Sequence, residues 1–435
     1  MQRISHRAIL GAALALFLIY AWPGFVGWDT REHFLQARSG IYADGHPPAI
    51  AVLVRLCEVF VTGPALLLLI QATTLLGGVY LLLKTRWSPR WAALIASAIF
   101  LFPPISGVTG LITKDALMAG PLMIAFALMQ DDRRSRHLGA LALVFFASLM
   151  RWNAFTATFV PMMLMFRWRP GIAGVRRYAI AFAVWIAVTA IAMQANDMLA
   201  QKREYTWYWA NGYLDITGTL HYMDPVDDAA LDKLLDGLPL RYHDHLNERF
   251  AKLYSPTSYY QLMRDGDYLI EPPHDDATAA RVTAVWKRIV LGHPSAYLHY
   301  RWDNFRALLA IGTPATFSRV YVWLTVIAAP ETIPELGHDA APSRVQGELR
   351  RASIWISLTP LYDVFIYFAL CFLLLPLCVA SALEISIVLS AIGYQLALFF
   401  MASTVDFRYC QWMILCSVTA VALRVARWRG SVVRA

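Results

Sequence analysis

The chain has 435 residues, of which 58% are hydrophobic and only 16% are Asp, Glu, Lys or Arg. Soluble globular proteins carry about 25% charged residues, so this composition leaves too little polar surface to cover a water-soluble particle. The mean hydropathy of +0.47 agrees. Apolar runs that approach the roughly 20 residues of a membrane-crossing helix predict an all-α, polytopic membrane protein.

The net charge of +8 does not indicate nucleic-acid binding, because the Lys and Arg residues concentrate in short loops that flank apolar runs. In that position they act as topology signals. The five cysteines lie in or beside apolar runs, and their spacing matches neither a disulfide framework nor a set of zinc ligands. The sequence therefore predicts membrane lipids as surroundings and no nucleic-acid partner.

The first predicted element is a membrane helix over residues 8–25, which we expect to be retained because no small-x-small cleavage site precedes Asp29. Short, Arg-rich loops are typical of the cytoplasmic side of a membrane protein. They place both termini in the cytoplasm. These loops are residues 1–7, 84–90, 131–137, 167–177 and the tail from residue 424.

Residues 49–61 are apolar, but they are too few for a span and they include Arg55 and Glu58. We expect a helix that lies along the outer membrane face. The other apolar runs predict about ten transmembrane helices in all, and only the orientation of the eighth and ninth stays open, since no basic loop separates them. The predicted helices cover residues 8–25, 64–83, 91–102, 115–129, 138–150, 154–167, 178–194, 361–380, 384–402 and 409–424.

Three parts follow from this pattern. Residues 1–196 form an N-terminal transmembrane module whose external loop, residues 26–63, is expected to carry catalysis. Residues 197–355 are rich in Tyr, Asp, His and Pro and predict a periplasmic, mainly helical domain. An apolar stretch inside it, residues 320–329, is too short for a predicted span. Residues 356–435 supply the C-terminal transmembrane helices.

Four polar clusters fall on the external side of this topology, where ionisable groups beside a membrane are candidates for function. The first is WDTREH at residues 28–33. Asp29 in it suits a general base or a metal ligand, and Glu32 lies one turn further. Alternatively, Asp29 is the N-cap of a surface helix that reaches Arg38.

The second cluster is YADGHPP at residues 42–48, in which Gly and Pro fix a turn that presents Asp44 and His46. It is either part of a site or a simple turn. The third is the Thr113-Lys114-Asp115 step. Asp115 suits a helix N-terminus on electrostatic grounds alone. That reading does not account for Lys114, whose charge on the outer side suits a phosphate.

The fourth cluster is RWN at residues 151–153. The guanidinium of Arg151 suits a phosphate and Asn153 a polar ligand, or else the segment is an interfacial anchor. The same alternatives hold for Arg408 and Tyr409 in DFRY, before the last helix. Carboxylates together with cations at a membrane surface are suited to chemistry on a lipid-linked phosphate. No Walker A, GxGxxG, HExxH or GxSxG motif favours another reaction.

These motifs, in this order, resemble the GT-C superfamily of polyprenyl-phosphate-sugar-dependent glycosyltransferases, and the bacterial glycosyltransferase-like members most. The resemblance covers most of residues 8–200 and residues 400–410. Within residues 197–353 it extends only to an HPxxY step at His293. The motifs that carry it are GWDTREHF, DGHPPAIAVLVRL, LITKDALMAG, RWN and DFRYCQW.

The resemblance implies that Asp29 deprotonates or orients the acceptor hydroxyl, while Lys114, Arg151 and Arg408 hold the phosphate leaving group. It implies that Asp44 and His46 shape the site or help to bind a divalent cation. Family members carry a paired Asp-Asp or Asp-Glu in the first external loop. This chain has no such pair there, so Glu32 is a candidate stand-in for the second carboxylate.

The resemblance therefore implies a glycosyltransferase of a bacterial inner membrane that moves a sugar from a polyprenyl-phosphate donor to a periplasmic glycan, lipid or protein. Asp29 and Glu32 are the predicted catalytic residues. The predicted substrate-binding residues are Asp44, His46, Lys114, Asp115, Arg151, Asn153, Arg408 and Tyr409. Two alternatives stay open: a transporter or flippase for a lipid-linked or anionic substrate, and a membrane assembly protein without catalysis.

Overall fold

The computed structural model describes residues 5–432 except residues 170, 260–261, 263–267 and 313–342. Over the described residues the regular secondary structure is helical, and β pairing is limited to isolated bridges. The prediction of an all-helical chain is confirmed for this part of the protein. The apolar stretch at residues 320–329 lies outside the described residues.

The described residues up to Leu199 form ten helices whose ends follow local sequence signals. Ser5 caps the first helix through its side chain, Pro residues open the third and fifth, and Gly40, with φ of 73°, ends the second. The helices are α1 (His6–Ala21), α2 (Trp28–Ser39), α3 (Pro48–Glu58), α4 (Ala65–Leu83), α5 (Pro89–Phe100), α6 (Pro103–Gly110), α7 (Lys114–Leu128), α8 (Arg134–Met150), α9 (Ala154–Met165) and α10 (Gly174–Leu199).

The polar stretch contains a second set of helices with a hydrophobic core of its own, formed by side chains between Tyr213 and Ile289. Asp227 and Asp275 cap two of these helices by accepting hydrogen bonds from backbone N–H groups. We call this unit the polar domain. Its helices are α11 (Tyr213–Tyr222), α12 (Asp228–Leu234), α13 (Leu246–Leu253), α14 (Asp276–Trp286) and α15 (Pro294–Leu308), with π-helical turns at Trp207–Gly212 and Lys287–Leu291.

The C-terminal part returns the chain to the apolar bundle. Its helices are α16 (Arg344–Ser357), α17 (Val364–Cys378), α18 (Ala382–Met401) and α19 (Gln411–Val432), and a 3₁₀ turn at Phe407–Cys410 precedes the last. Helices α17, α18 and α19 pack against one another, and α18 also packs against α9. The N- and C-terminal parts therefore share one hydrophobic core.

Among the described residues, four helical segments are long and apolar enough to cross a membrane, namely α4, α10, α18 and Phe407–Arg429. Helices α5 and α6 would form a fifth span, but they are bent by 69° at Pro103. These segments support a membrane protein, whereas the predicted number of about ten spans is not confirmed. The difference arises because five of the predicted spans are helices shorter than 18 residues: α1, α7, α8, α9 and α17 have 16, 15, 17, 12 and 15 residues.

Helices α4 and α7 approach each other closely because each places a glycine at their contact. A Cβ on Gly120 would lie 2.5 Å from Thr74 Oγ1 and 2.7 Å from the backbone nitrogen of Leu75. A Cβ on Gly78 would meet the carbonyl oxygen of Gly120 at 2.9 Å. Small residues allow such packing between apolar helices, where the hydrophobic effect contributes little.

We expect Gly120→Ala to lower the free energy of unfolding by about 1–3 kcal/mol, because the added methyl group would push two backbones apart. Gly77→Ala, in α4, is the matched control, since nothing lies within 4 Å of the Cβ that it adds. Thermal unfolding of both variants in detergent would measure the difference. Equal melting temperatures would show that α4 and α7 do not require this close contact.

Candidate active site

Polar segments from distant parts of the chain meet at one end of the helix bundle. Each of them lies where one helix ends or the next begins, so the topology of the bundle brings them together. They comprise Asp29 in the first turn of α2, His46 before α3, Lys114 at the start of α7, Arg151 and Asn153 between α8 and α9, and Arg408 and Tyr409 before α19.

The Asp29 carboxylate is at the centre of this cluster. Its Oδ2 lies 3.1 Å from Lys114 Nζ and 3.0 Å from Arg408 Nη1, and its Oδ1 lies 3.7 Å from His46 Nε2. The three charged side chains are only 12–17% exposed. Lys114 and Arg408 thus share the Asp29 carboxylate, while Arg408 also pairs with Asp406, so the positive and negative charges here are balanced.

Backbone contacts hold Asp29 beside Lys114. Phe25 N donates to Gly110 O at 2.8 Å, and Ile112 N donates to Phe25 O at 2.9 Å. Thr30 Oγ1 donates to Ile112 O at 2.6 Å. Thr113 then caps α7 by accepting a hydrogen bond from Ala116 N. The segments before α2 and before α7 are therefore tied together, and both helices start at the site.

His46 connects Lys114 to Asp29. Its Nδ1 lies 3.0 Å from Lys114 Nζ, and since an ammonium group only donates, Nδ1 must accept. The proton of the neutral ring is then on Nε2, which faces Asp29. Burial and the charge of Lys114 lower the pKa of His46 from 6.5 to about 4, so the ring is neutral at pH 7.

A second ion pair adjoins the first. Arg151 Nη1 lies 2.5 Å from Asp115 Oδ1, with 6% and 3% of the two side chains exposed, and Arg151 Nε donates to Asn153 Oδ1 at 2.7 Å. The guanidinium groups of Arg151 and Arg408 each lie 5.3 Å from the ring centre of Tyr409. Tyr409 therefore joins the two ion pairs.

The remaining two predicted residues, Glu32 and Asp44, contact other partners. Glu32 Oε1 accepts a hydrogen bond from Gln36 Nε2 at 3.2 Å. Asp44 Oδ1 accepts one from Glu204 N at 2.6 Å, beside the bridge that pairs Ala43 with Lys202. These contacts fix the external loop to the start of the polar domain. The contact of Glu32 is therefore with its own helix, whereas Asp29 contacts Lys114 and Arg408.

Three members of the cluster were not predicted as site residues. His33 is buried, and its ring lies 5.2 Å from that of His46. Asp406 Oδ2 lies 2.8 Å from Arg408 Nε, and its Oδ1 accepts a hydrogen bond from Arg408 N. Tyr394 of α18 packs under Arg151. His33 follows Asp29 by one helical turn, which is a usable signal, whereas nothing in the sequence around Tyr394 marks it.

The charge state of Asp29 follows from its surroundings. Burial alone would raise the pKa of its carboxyl, but the charges of Arg408 and Lys114 outweigh burial and hold the pKa well below its ordinary value. Asp29 is therefore ionised at neutral pH and weakly basic while both cations bind it. Removal of the cations from the carboxylate would make it a stronger base.

The protein is expected to lose stability as the pH falls from about 6.5 to about 4. In this window the unfolded chain protonates His46 while the folded chain keeps it neutral, so proton uptake favours unfolding and lowers the free energy of unfolding by about 3 kcal/mol in total. Burial shifts the pKa of His33 in the same direction. Melting temperatures at several pH values should fall less steeply for His46→Gln. If the melting temperature fell equally steeply in wild type and variant, His46 would not be the group that takes up the proton on unfolding.

The donor set does not fit the divalent cation that the family resemblance allows. The described residues contain no group of three or more His, Cys, Asp or Glu side chains that could hold a metal ion. The nearest neighbours of the Asp29 carboxylate are the cations Lys114 and Arg408, which would repel a metal. The reaction at this site is therefore written without a metal ion.

No protein-family model, curated protein or solved structure matches the chain.

Proposed function

We propose that this protein is a membrane glycosyltransferase, which transfers a sugar from a polyprenyl-phosphate donor to an acceptor hydroxyl on the periplasmic face of a bacterial inner membrane. The observation that carries the proposal is the Asp29 carboxylate that shares Lys114 and Arg408 at one end of an apolar helix bundle. A base next to two phosphate-binding cations is what this transfer requires. The motif order of the GT-C superfamily supports the same reaction.

We propose a topology in which the shorter helices α1, α7, α8, α9 and α17 also span the membrane, giving about ten spans with both termini in the cytoplasm. The basic loops on one side support this arrangement. Helix α3 and the residues after it expose Leu56, Val59 and Phe60, as expected for a helix that lies in the outer interface. A polyprenyl chain would then reach the site from the adjoining lipid.

The donor phosphate takes the place of Asp29 as the partner of Lys114 and Arg408. Because the cations then neutralise the phosphate, the carboxylate loses the charges that depress its pKa and becomes a better base. Binding of the donor thus prepares Asp29 for its role. His46, neutral and hydrogen-bonded to Lys114, keeps the ammonium group in position during this exchange.

The acceptor oxygen attacks the anomeric carbon on the side opposite the phosphate, and its proton passes to Asp29. The bond between the anomeric carbon and the phosphate oxygen breaks, and its electron pair stays on that oxygen. Lys114 and Arg408 stabilise the charge that develops on the leaving polyprenyl phosphate. The sugar configuration is therefore inverted. The Asp115–Arg151 pair supports Arg408 through Tyr409.

The test is transfer by the purified protein in proteoliposomes supplied with labelled polyprenyl-phosphate sugars and membrane-derived acceptors. We expect release of polyprenyl phosphate from at least one donor, and release at least about 100-fold slower from the Asp29→Asn variant. Movement of an intact donor across the bilayer would favour the flippase alternative. The proposal would be overturned if the protein neither consumed nor moved any donor in the panel.

Lys114→Met should weaken binding of undecaprenyl phosphate about 10–100-fold, since a hydrogen bond to a charged group contributes about 1.5–3 kcal/mol. Lys252→Met is the control, because Lys252 lies on the surface of the polar domain and is 72% exposed. Competition with a labelled lipid phosphate would measure both affinities. Equal affinities for wild type and Lys114→Met would remove Lys114 from the phosphate site.

A further inference from the structure

The loop that leads to Arg408 is held by the polar domain at several points. Ala402 O accepts a hydrogen bond from Arg301 Nη1 at 2.9 Å. The preceding residue, Met401, accepts one from Asn211 Nδ2, also at 2.9 Å. Val405 N donates to Thr257 O at 2.8 Å, next to the bridge between residues 258 and 404. Three separate segments of the polar domain therefore fix residues 401–405.

Arg301 is the most deeply buried of these contacts, with only 1% of its side chain exposed. Its Nη2 lies 2.5 Å from Asp215 Oδ1, and its Nε donates to the hydroxyl of Tyr297 at 3.2 Å. Asp215 Oδ2 accepts a further hydrogen bond from Trp286 Nε1 at 2.9 Å. One planar guanidinium thus connects the interior of the polar domain to the loop backbone.

Only a few residues separate this fixed segment of the loop from Arg408 in the site. Asp406 follows the fixed segment, and its carboxylate accepts a hydrogen bond from Arg408 N and pairs with the Arg408 guanidinium. Arg408 in turn contacts the Asp29 carboxylate. Displacement of Ala402 would therefore move a cation of the site, although Arg301 itself touches none of the residues proposed to react.

We propose that the polar domain positions the phosphate-binding Arg408 through the Arg301 link to Ala402, so that Arg301 sets the affinity for the lipid-phosphate donor without taking part in bond cleavage. This inference rests on the proposed function. It assigns to the polar domain a role in donor binding, in addition to any contact with the acceptor. Burial of a paired arginine is energetically expensive, and a fixed geometry at the loop is what the arrangement provides.

Arg301→Lys tests the proposal, because a single ammonium group can keep Asp215 as its partner but cannot also reach Ala402 with a second nitrogen. We expect faster hydrogen exchange at the amides of residues 402–409. We also expect the KM for the donor to rise about 10-fold, because one hydrogen bond to a charged group is lost. The kcat should stay within about 2-fold of wild type. Arg249→Lys, at a surface pair with Asp244, is the matched control.

The double variant Asp215→Leu with Arg301→Met is a second test, for the case that Arg301→Lys does not fold. It removes the ion pair without leaving one charge buried alone. It should show the same faster exchange and higher KM. Unchanged exchange at residues 402–409 in both variants would overturn the proposal, as would a fall in kcat at constant KM. If the wild type consumes no donor, the proposed function fails. Hydrogen exchange at residues 402–409 would still test whether Arg301 holds the loop that leads to Arg408.

Discussion

Asp29→Asn is expected to lower kcat for sugar transfer by about 10²–10⁴-fold, the usual contribution of a positioned general base. The substitution keeps the size and shape of the side chain. It removes only the charge and the ability to take the acceptor proton. Initial rates with a labelled polyprenyl-phosphate sugar would measure the effect. Asp276→Asn, at a carboxylate of the polar domain that is 77% exposed, is the control and should retain full activity.

The same variant separates catalysis from binding. Its neutral amide would not compete with a phosphate for Lys114 and Arg408, so affinity for undecaprenyl phosphate should stay equal to wild type or increase. A structural defect would instead weaken binding together with turnover. Full activity in Asp29→Asn would eliminate this carboxylate as the base. Lost binding would show that its charge organises the cations.

Arg151→Met is expected to lower the free energy of unfolding by about 3–5 kcal/mol, the largest stability effect predicted for a single site. The change leaves Asp115, which is 3% exposed, as a buried charge without its partner at 2.5 Å. Arg167→Met is the control. Its pair with Asp132 is 45% and 70% exposed, and surface pairs contribute about 0–1 kcal/mol.

The double variant Asp115→Leu with Arg151→Met distinguishes stability from function. Replacement of both charges by apolar groups removes the unpaired carboxylate, so most of the lost stability should return. Donor affinity should stay reduced, since the guanidinium beside Tyr409 is absent. Denaturation in detergent and lipid-phosphate binding would be measured on the same preparations. A double variant with normal donor affinity would reduce Asp115 and Arg151 to a structural role.

Local signals in the sequence located most of the cluster. Lys114, Arg151 and Arg408 each interrupt an apolar pattern at a helix boundary, and the structure places them at one end of the bundle. The apolar run at residues 178–194 predicted the core of α10. This helix extends further, to Gly174–Leu199, because polar residues continue it at both ends.

Other features depend on contacts that the sequence does not encode locally. The bend between α5 and α6 requires the chain to turn at Pro103, and the predicted helix over residues 91–102 gave no sign of α6. Tyr394 lies on an apolar helix, so only the packing of α18 against α9 brings it under Arg151. The proximity of Asp29 to Arg408 likewise follows from tertiary packing of helices at opposite ends of the chain.

The separate core of the polar domain has a consequence for how the protein denatures. Its apolar side chains between Tyr213 and Ile289 form a core separate from that of the bundle, whereas Phe305, Ala307 and Leu308 of α15 belong to the bundle core. Cooperativity extends only as far as shared burial, so heating should melt this unit in its own transition while the bundle remains helical. Far-ultraviolet circular dichroism would then record two steps, and transfer activity would be lost at the first.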